Sequence, residues 1–222
     1  KQLLVACVAI LLSVFVFHNE ASAAKEGDYV YYVDNGQVRI AAYMGSKTDV
    51  IIPSYIGGYP VTTIGYAAFS KKQLTSVAIP EGVQSIEGNA FSENLLSYVT
   101  LPQTLRGIGE GAFLLNSLQN VTIPTNVTTI GESAFAQNRL SSITIPNSVT
   151  TIGFVAFFGC DNLTTATVGC SWITNPLYEF DENVTVNATL HSYENGVCTV
   201  CGEASEDEGE RIELVEGTPF EN

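Results

Sequence analysis

The chain has 222 residues, with nine Lys and Arg against 23 Asp and Glu and a formal net charge of −14. That balance excludes a role built on clustered positive charge, so no nucleic-acid partner is expected. Apolar residues make up 45% of the chain, enough to exclude wholesale disorder, while the 38 Ser and Thr outnumber the 32 charged residues and predict a surface that is polar without being charged.

The chain opens as a targeting segment. Lys1 precedes an apolar run, Leu3 to Phe17, which is followed by a polar stretch and Ala21-Ser22-Ala23. A basic end, a short apolar run and an A-x-A site predict a signal peptide over residues 1–23, and therefore export. The run is shorter than the roughly 20 residues of a membrane-spanning helix. No second apolar run follows, so no transmembrane anchor is expected in this chain. Leu4-Val5-Ala6-Cys7 matches a lipoprotein cleavage box in its letters, but it lies before the apolar run instead of after it.

Residues 24–60 read as an N-terminal cap and an atypical first repeat. Asp28 to Val33 and Gln37 to Tyr43 flank Asp34-Asn35-Gly36, which predicts a β-hairpin. Val50-Ile51-Ile52-Pro53 predicts a strand, separated from Val61 by an insertion around Gly57-Gly58-Tyr59-Pro60. Seven of the ten Tyr fall between residues 29 and 66, which concentrates the aromatic surface at this end.

Residues 61–169 repeat themselves every 22 residues. Val61-Thr62-Thr63-Ile64-Gly65 leads to Ala68-Phe69, and the same string recurs at Val83 to Phe91, Leu105 to Phe113, Val127 to Phe135 and Val149 to Phe157. Between these lie Leu74, Val77, Ile79-Pro80 and their counterparts at Leu96, Leu118 and Leu140; the last copy, Leu163 to Gly169, comes one residue late. Val77 and Ile79 alternate with Ser76 and Ala78, so this piece is a short strand with one buried face, ended by Pro80, which has no N–H to donate. Val83 and Ile86 return the chain along the other side of the core. The Gly that follows Ile in four of five copies suits a turn. The Ala-Phe pair is expected on a short helical turn with Phe inserted in the core. One unit cannot bury its own apolar edge, whereas stacked units share a continuous core.

The consensus L-x-x-V-x-I-P-x-x-V-x-x-I-G-x-x-A-F resembles the BspA-like leucine-rich repeats of bacterial surface proteins, over about residues 49–169. The resemblance implies a solenoid of α/β, β-rich class with short strands and short helical turns, closed at its N-terminus by the β-hairpin cap. Gly159-Cys160 matches the family's Gly-Cys pair, and the other four copies lack that Cys.

Residues 170–202 change character and read as a C-terminal cap with a Cys/His tail. His191, Cys198 and Cys201 have metal-ligand character, because Cys-x-x-Cys lets two thiolates hold one Zn²⁺ from a tight turn; Cys170 is the candidate fourth ligand. A structural zinc site, a Cys198–Cys201 disulfide and free thiols remain as alternatives. Residues 203–222 hold eight acids and one Arg and read as an acidic linker.

Catalysis is short of parts. After removal of the leader His191 is the single histidine, and the chain carries no phosphate-cradling loop, H-E-x-x-H or hydrolase signature, so no enzyme activity is expected. The useful surface is the outward side of the strands. One ladder holds Ser76, Tyr98, Asn120, Ser142 and Thr165; a second holds Ala78, Thr100, Thr122, Thr144 and Thr167. Thr is favoured on any half-exposed strand, so these rows can be purely structural. The concave face of a solenoid is also its usual binding surface, and Tyr98 is the aromatic on it. The expectation is a secreted or cell-surface, non-catalytic binding protein that takes a protein or glycan ligand, in adhesion or host interaction. A structural spacer displaying another module is the alternative, and a hydrolase the third.

Overall fold

The structure, a computed structural model, describes residues 22–169, 184–188, 193–194 and 197–198. Three strands form the N-terminal end: β1 (Ala24–Glu26), β2 (Tyr29–Asp34) and β3 (Gln37–Tyr43), each antiparallel to the next. The turn between β2 and β3 places Asn35 and Gly36 at φ of 50° and 72°, the left-handed pair that a tight hairpin requires. The expected hairpin is therefore present. The first-repeat strand is β4 (Asp49–Ile51), and the insertion after it is a small second hairpin, β5 (Tyr55–Ile56) with β6 (Tyr59–Ile64).

From β6 onward the chain winds in coils that contribute to two sheets. The Val-x-x-Ile segments supply β6, β8 (Ser85–Ile86), β9 (Gly107–Ile108), β10 (Thr129–Ile130) and β12 (Thr151–Ile152), all parallel and all in the register of the 22-residue step. With the cap hairpin laid against β6 through β3, and β5 on β6, they make one nine-stranded sheet. The Leu-x-x-Val-x-Ile-Pro segments supply the other side: β7 (Ser76–Ala78), β11 (Ser142–Thr144) and β13 (Thr165–Val168), with β4 and β14 (Thr185–Ala188) at its two ends. A separate antiparallel pair, β15 (Tyr193–Glu194) and β16 (Val197–Cys198), follows.

The core lies between the sheets and is built in columns. Tyr43, Phe69, Phe91, Phe113, Phe135 and Phe157 stack ring on ring, with centroids 5.1–5.6 Å apart and interplanar angles that fall from 22° to 3° along the repeats. All five Phe are fully buried, as the periodicity requires. Tyr43 shows how the cap joins the array: it offers a ring where a further repeat would have placed Phe.

The expected short helical turns, and with them the α/β class, do not match the structure: the described residues contain strands and turns and no helix. The reason lies in the backbone on the Ala-Phe side. Ala67, Asn89, Gly111, Ser133 and Val155 all have φ of 51–56°, and the residues four later, Lys71, Glu93, Leu115, Gln137 and Gly159, have φ of 55–68°. A left-handed residue every fourth position cannot belong to a right-handed helix. Each such residue other than Gly111 and Gly159 costs about 1–2 kcal/mol, and the return is hydrogen bonding between coils. Ala67, Phe69 and Lys71 donate their N–H groups to Gly88, Ala90 and Ser92 at 2.8–3.0 Å, while Ala68 and Ser70 bond locally to Gly65 and Ala67. Every second amide thus extends a ladder along the solenoid instead of closing a helical turn.

The Gly after Ile is also present for a different reason than turn conformation. A Cβ on Gly131 would lie 2.4 Å from the Glu110 nitrogen, and one on Gly153 would lie 2.1 Å from the Glu132 nitrogen. These glycines let one coil's backbone rest on the next.

Candidate functional site

The two rows of outward side chains fall into register across the second sheet. Asp49 lies opposite Ser76, Tyr98 opposite Asn120, and Ser142 opposite Thr165 and then Thr185. In the second row Ile51 lies opposite Ala78, Ala78 opposite Thr100, and Thr144 opposite Thr167 and then Asn187. The parallel pairing fixes this alignment, because a slip by one residue would turn Val77, Val99 and Ile143 out of the core.

Exposure grades along the rows. Tyr98 is 60% exposed, and Thr100, Asn120, Thr122, Ser142 and Thr144 are exposed with it. Ser76, Thr165 and Thr167 are half-buried. Ser76 donates its hydroxyl to the Asp49 carboxylate in a short contact, which takes it out of play as a free donor. Thr165 and Thr167 are flanked by β11 on one side and β14 on the other. The accessible centre of the face is therefore Tyr98 to Thr144, flanked at the N-terminal edge by Ile51, an apolar side chain 78% exposed that the sequence reading did not single out. Tyr29 reaches across from the cap and donates its hydroxyl to the Ile51 carbonyl at 3.2 Å, occupying one backbone group of that edge strand.

A second set of polar residues, unnoticed in the sequence, is buried. Asn94, Asn116 and Asn138 are at most 8% exposed and recur at the 22-residue step. Each carboxamide bridges two coils. Asn116 accepts from the Leu96 N–H at 3.1 Å and donates to the carbonyls of Phe91 at 2.9 Å and Phe113 at 3.1 Å. Asn138 repeats the pattern one coil on, with Leu118, Phe113 and Phe135. Cys160 takes the same place in the last repeat, buried and directed at the Phe135 carbonyl. The spacing Phe-x-x-Asn-x-Leu was the available signal. These side chains satisfy backbone groups that the phenylalanine turns would otherwise strand, so they hold the coils together and are closed to a ligand. A groove of about 380 Å³ opens over this side between Asn116, Gln137, Arg139 and Asp161, but its Asn116 and Asn138 carboxamides are already committed to the backbone.

Of the proposed zinc ligands, His191, Cys170 and Cys201 lie outside the described residues, and Cys198 is described only as part of the backbone of β16. Among the described residues no group of three or more His, Cys, Asp or Glu side chains converges, and no helix is long and apolar enough to cross a membrane.

Comparison with known proteins agrees with this geometry. A leucine-rich repeat protein of T. pallidum matches with a TM-score of 0.64 and 25% identity, over 76% of this chain and 83% of its own. A leucine-rich repeat protein from Bacteroides ovatus matches with a TM-score of 0.58 and 22% identity, over 75% of this chain and 53% of its own. The pneumococcal vaccine antigen PcpA matches with a TM-score of 0.51 and 18% identity, over 67% of this chain and 50% of its own. At those identities the latter two show the fold alone, and this chain spans about half of each. No curated protein matches the chain. The model of the BspA type leucine rich repeat region matches residues 48–187 in six copies, taking in β4 and much of β14 as well as the five regular repeats. With that match over more than half its length, the chain belongs to the BspA-type leucine-rich repeat family.

Proposed function

We propose that the protein is exported and acts as a non-catalytic binding module at or outside the cell surface, contacting a protein or glycan through the outward face of the second sheet. The observation that carries this reading is the accessible run of Tyr98, Thr100, Asn120, Thr122, Ser142 and Thr144, in which Tyr98 is paired with Asn120. It presents an aromatic ring, a carboxamide and hydroxyls on a backbone held by neighbouring coils, and a rigid surface loses less entropy on binding. The face is nearly free of charge, so association rests on hydrogen bonds and ring contacts and is little affected by salt.

The test is a binding array of purified surface proteins and glycans, read with wild type and with the double variant Tyr98→Ala, Thr122→Lys. The expected result is loss of binding with an unchanged melting temperature, since both residues are exposed. If deletion of residues 203–222 removes binding while the double variant keeps it, the acidic segment is the binding element and this reading fails. Export is checked by sequencing the amino terminus of the mature protein, expected at Ala24; a mature protein that retains Leu3 to Phe17 contradicts it.

A further inference from the structure

One residue breaks the rule that Gly follows Ile in each repeat. Gly65, Gly109, Gly131 and Gly153 obey it, and Glu87 does not. Its carboxylate does not point into solvent alone. Glu87 accepts two parallel bonds from the Arg39 guanidinium, Nε to Oε1 at 2.7 Å and Nη2 to Oε2 at 2.5 Å, and a third from the Tyr66 N–H at 2.9 Å. Arg39 belongs to β3 of the cap and Glu87 directly follows β8, and β6 lies between those two strands in the sheet. The ion pair therefore spans a whole coil.

Three further features make that span fit. The β3–β6 ladder is irregular at one place, between Val38 and Arg39, where the register shifts and Arg39 comes to lie opposite Thr63. A bulge of this kind re-aims a side chain. At the coil in between stands Gly65; a Cβ there would run into the Ile40 carbonyl oxygen of β3 and would also crowd the Arg39 guanidinium carbon at 3.3 Å, so the bare glycine both lets β3 lie close and leaves room for Arg39 to cross. The bidentate fork is the strong geometry for an Arg–carboxylate pair. Other ties of the cap to the array include three register pairs, Val38 with Val61, Arg39 with Thr63 and Ile40 with Ile64, the Tyr43 N–H bond to the Ala68 carbonyl, and the Tyr43 ring on Phe69; Arg39–Glu87 is the tie that reaches past β6 to the next coil.

We propose that Arg39 and Glu87 form a latch that fastens the N-terminal hairpin cap over the coil of β6 to the next coil, so that the cap opens as a unit when the latch is broken while the repeats beyond stay folded. The cap covers the β6 edge of the repeat strands, and Tyr66, Gly65 and the bulge at Arg39 belong to the same device. Local opening of a contiguous terminal element is a recognised mode of sub-global unfolding, and a solenoid's coils depend only on their neighbours.

Hydrogen exchange of the full chain tests it. Glu87→Gln keeps the shape of the side chain, and Glu87→Gly installs the residue of the other four copies. Both are expected to speed exchange of the amides of residues 37–43 and 61–64 by about fivefold, the measure of a partly exposed ion pair, with residues 105–169 unchanged. The charge-swapped double variant Arg39→Glu, Glu87→Arg is expected to recover at least part of the protection that either single swap loses. Wild-type exchange of the cap in both Glu87 variants would overturn the latch. So would protection lost equally from cap and distant repeats, since the pair would then stabilise the whole fold instead of fastening one end of it.

Discussion

The two sheets come from the same 22-residue unit and differ in how they are bonded. The first runs unbroken from the cap through β12, with small or hydroxyl side chains in register at Thr63, Ser85, Gly107, Thr129 and Thr151. The second is a ladder only at its ends, β4 with β7 and β11 with β13 and β14; in the middle it is reduced to the single bridges Ala78–Thr100 and Tyr98–Asn120. Proline explains part of this. Pro80, Pro102, Pro124 and Pro146 follow the second sheet's strands and lack the N–H that would extend each ladder. Glycine explains the other part, because the first sheet's side carries the Gly positions that let adjacent backbones touch. The lesson is a division of labour within one repeat: one side is drawn tight, while the other tolerates Tyr, Asn, Ser or Thr outward because its order comes from the core beneath it.

Four tests sharpen that contrast, beginning with the interior both sheets share. Phe113→Ala removes the middle ring of the column, and chemical denaturation should show a loss of about 3–5 kcal/mol, the range for a buried Phe. A change below 1 kcal/mol would mean that the stack is not what couples the coils. Asn116→Ala leaves the Leu96 N–H and the Phe91 and Phe113 carbonyls without their side-chain partner, at a cost of about 2–3 kcal/mol. Asn116→Cys, copying Cys160, should cost less, and equal losses for the two variants would show that the carboxamide bonds are not what matters.

Gly131→Ala tests the tight side. Its Cβ has nowhere to go but the Glu110 backbone, so about 1–3 kcal/mol of overpacking is expected. Ala78→Ser on the second sheet, an exposed site, should stay within about 0.5 kcal/mol. If the two substitutions cost the same, the division between the sheets is wrong.

The smallest effect is that of acid on the latch. The Arg39 hydrogen bond holds the Glu87 carboxyl below its ordinary value of 4.5, against a smaller opposing push from burial. A carboxyl whose folded value is depressed contributes its full stabilisation above the unfolded value and loses it as the pH falls through the lower folded one. The wild-type advantage over Glu87→Gln should therefore be constant near neutrality, begin to fall as the pH drops through the ordinary value of 4.5, and disappear once the pH is below the depressed folded value. An advantage that persists at pH 2 would assign the stabilisation to something other than the charged pair.

Much of the architecture was legible because the repeat is its own alignment. Five Phe at one spacing can share only one environment, and all five are buried in one column. Asp34-Asn35-Gly36 signalled its hairpin through the one turn type that needs left-handed residues twice over. The alternation around Val77, Val99 and Ile143 likewise placed Tyr98 and Thr100 outward, since period two is a local property of an extended chain. Only the tertiary structure decided the rest. The Ala-Phe turns are non-helical because amides at Ala67, Phe69 and Lys71 find acceptors on a neighbouring coil, partners 21 residues away that no local pattern reveals. Gly131 and Gly153 answer to backbones above and below them, not to their own φ. Asn94, Asn116 and Asn138 look like loop residues until stacking encloses them, and Glu87 looks like an exposed acid on a turn until the cap brings Arg39 across Gly65 to meet it. Sequence periodicity sets what each coil must bury; only stacking determines which polar groups end up facing one another, because that pairing exists between coils and not within any one of them.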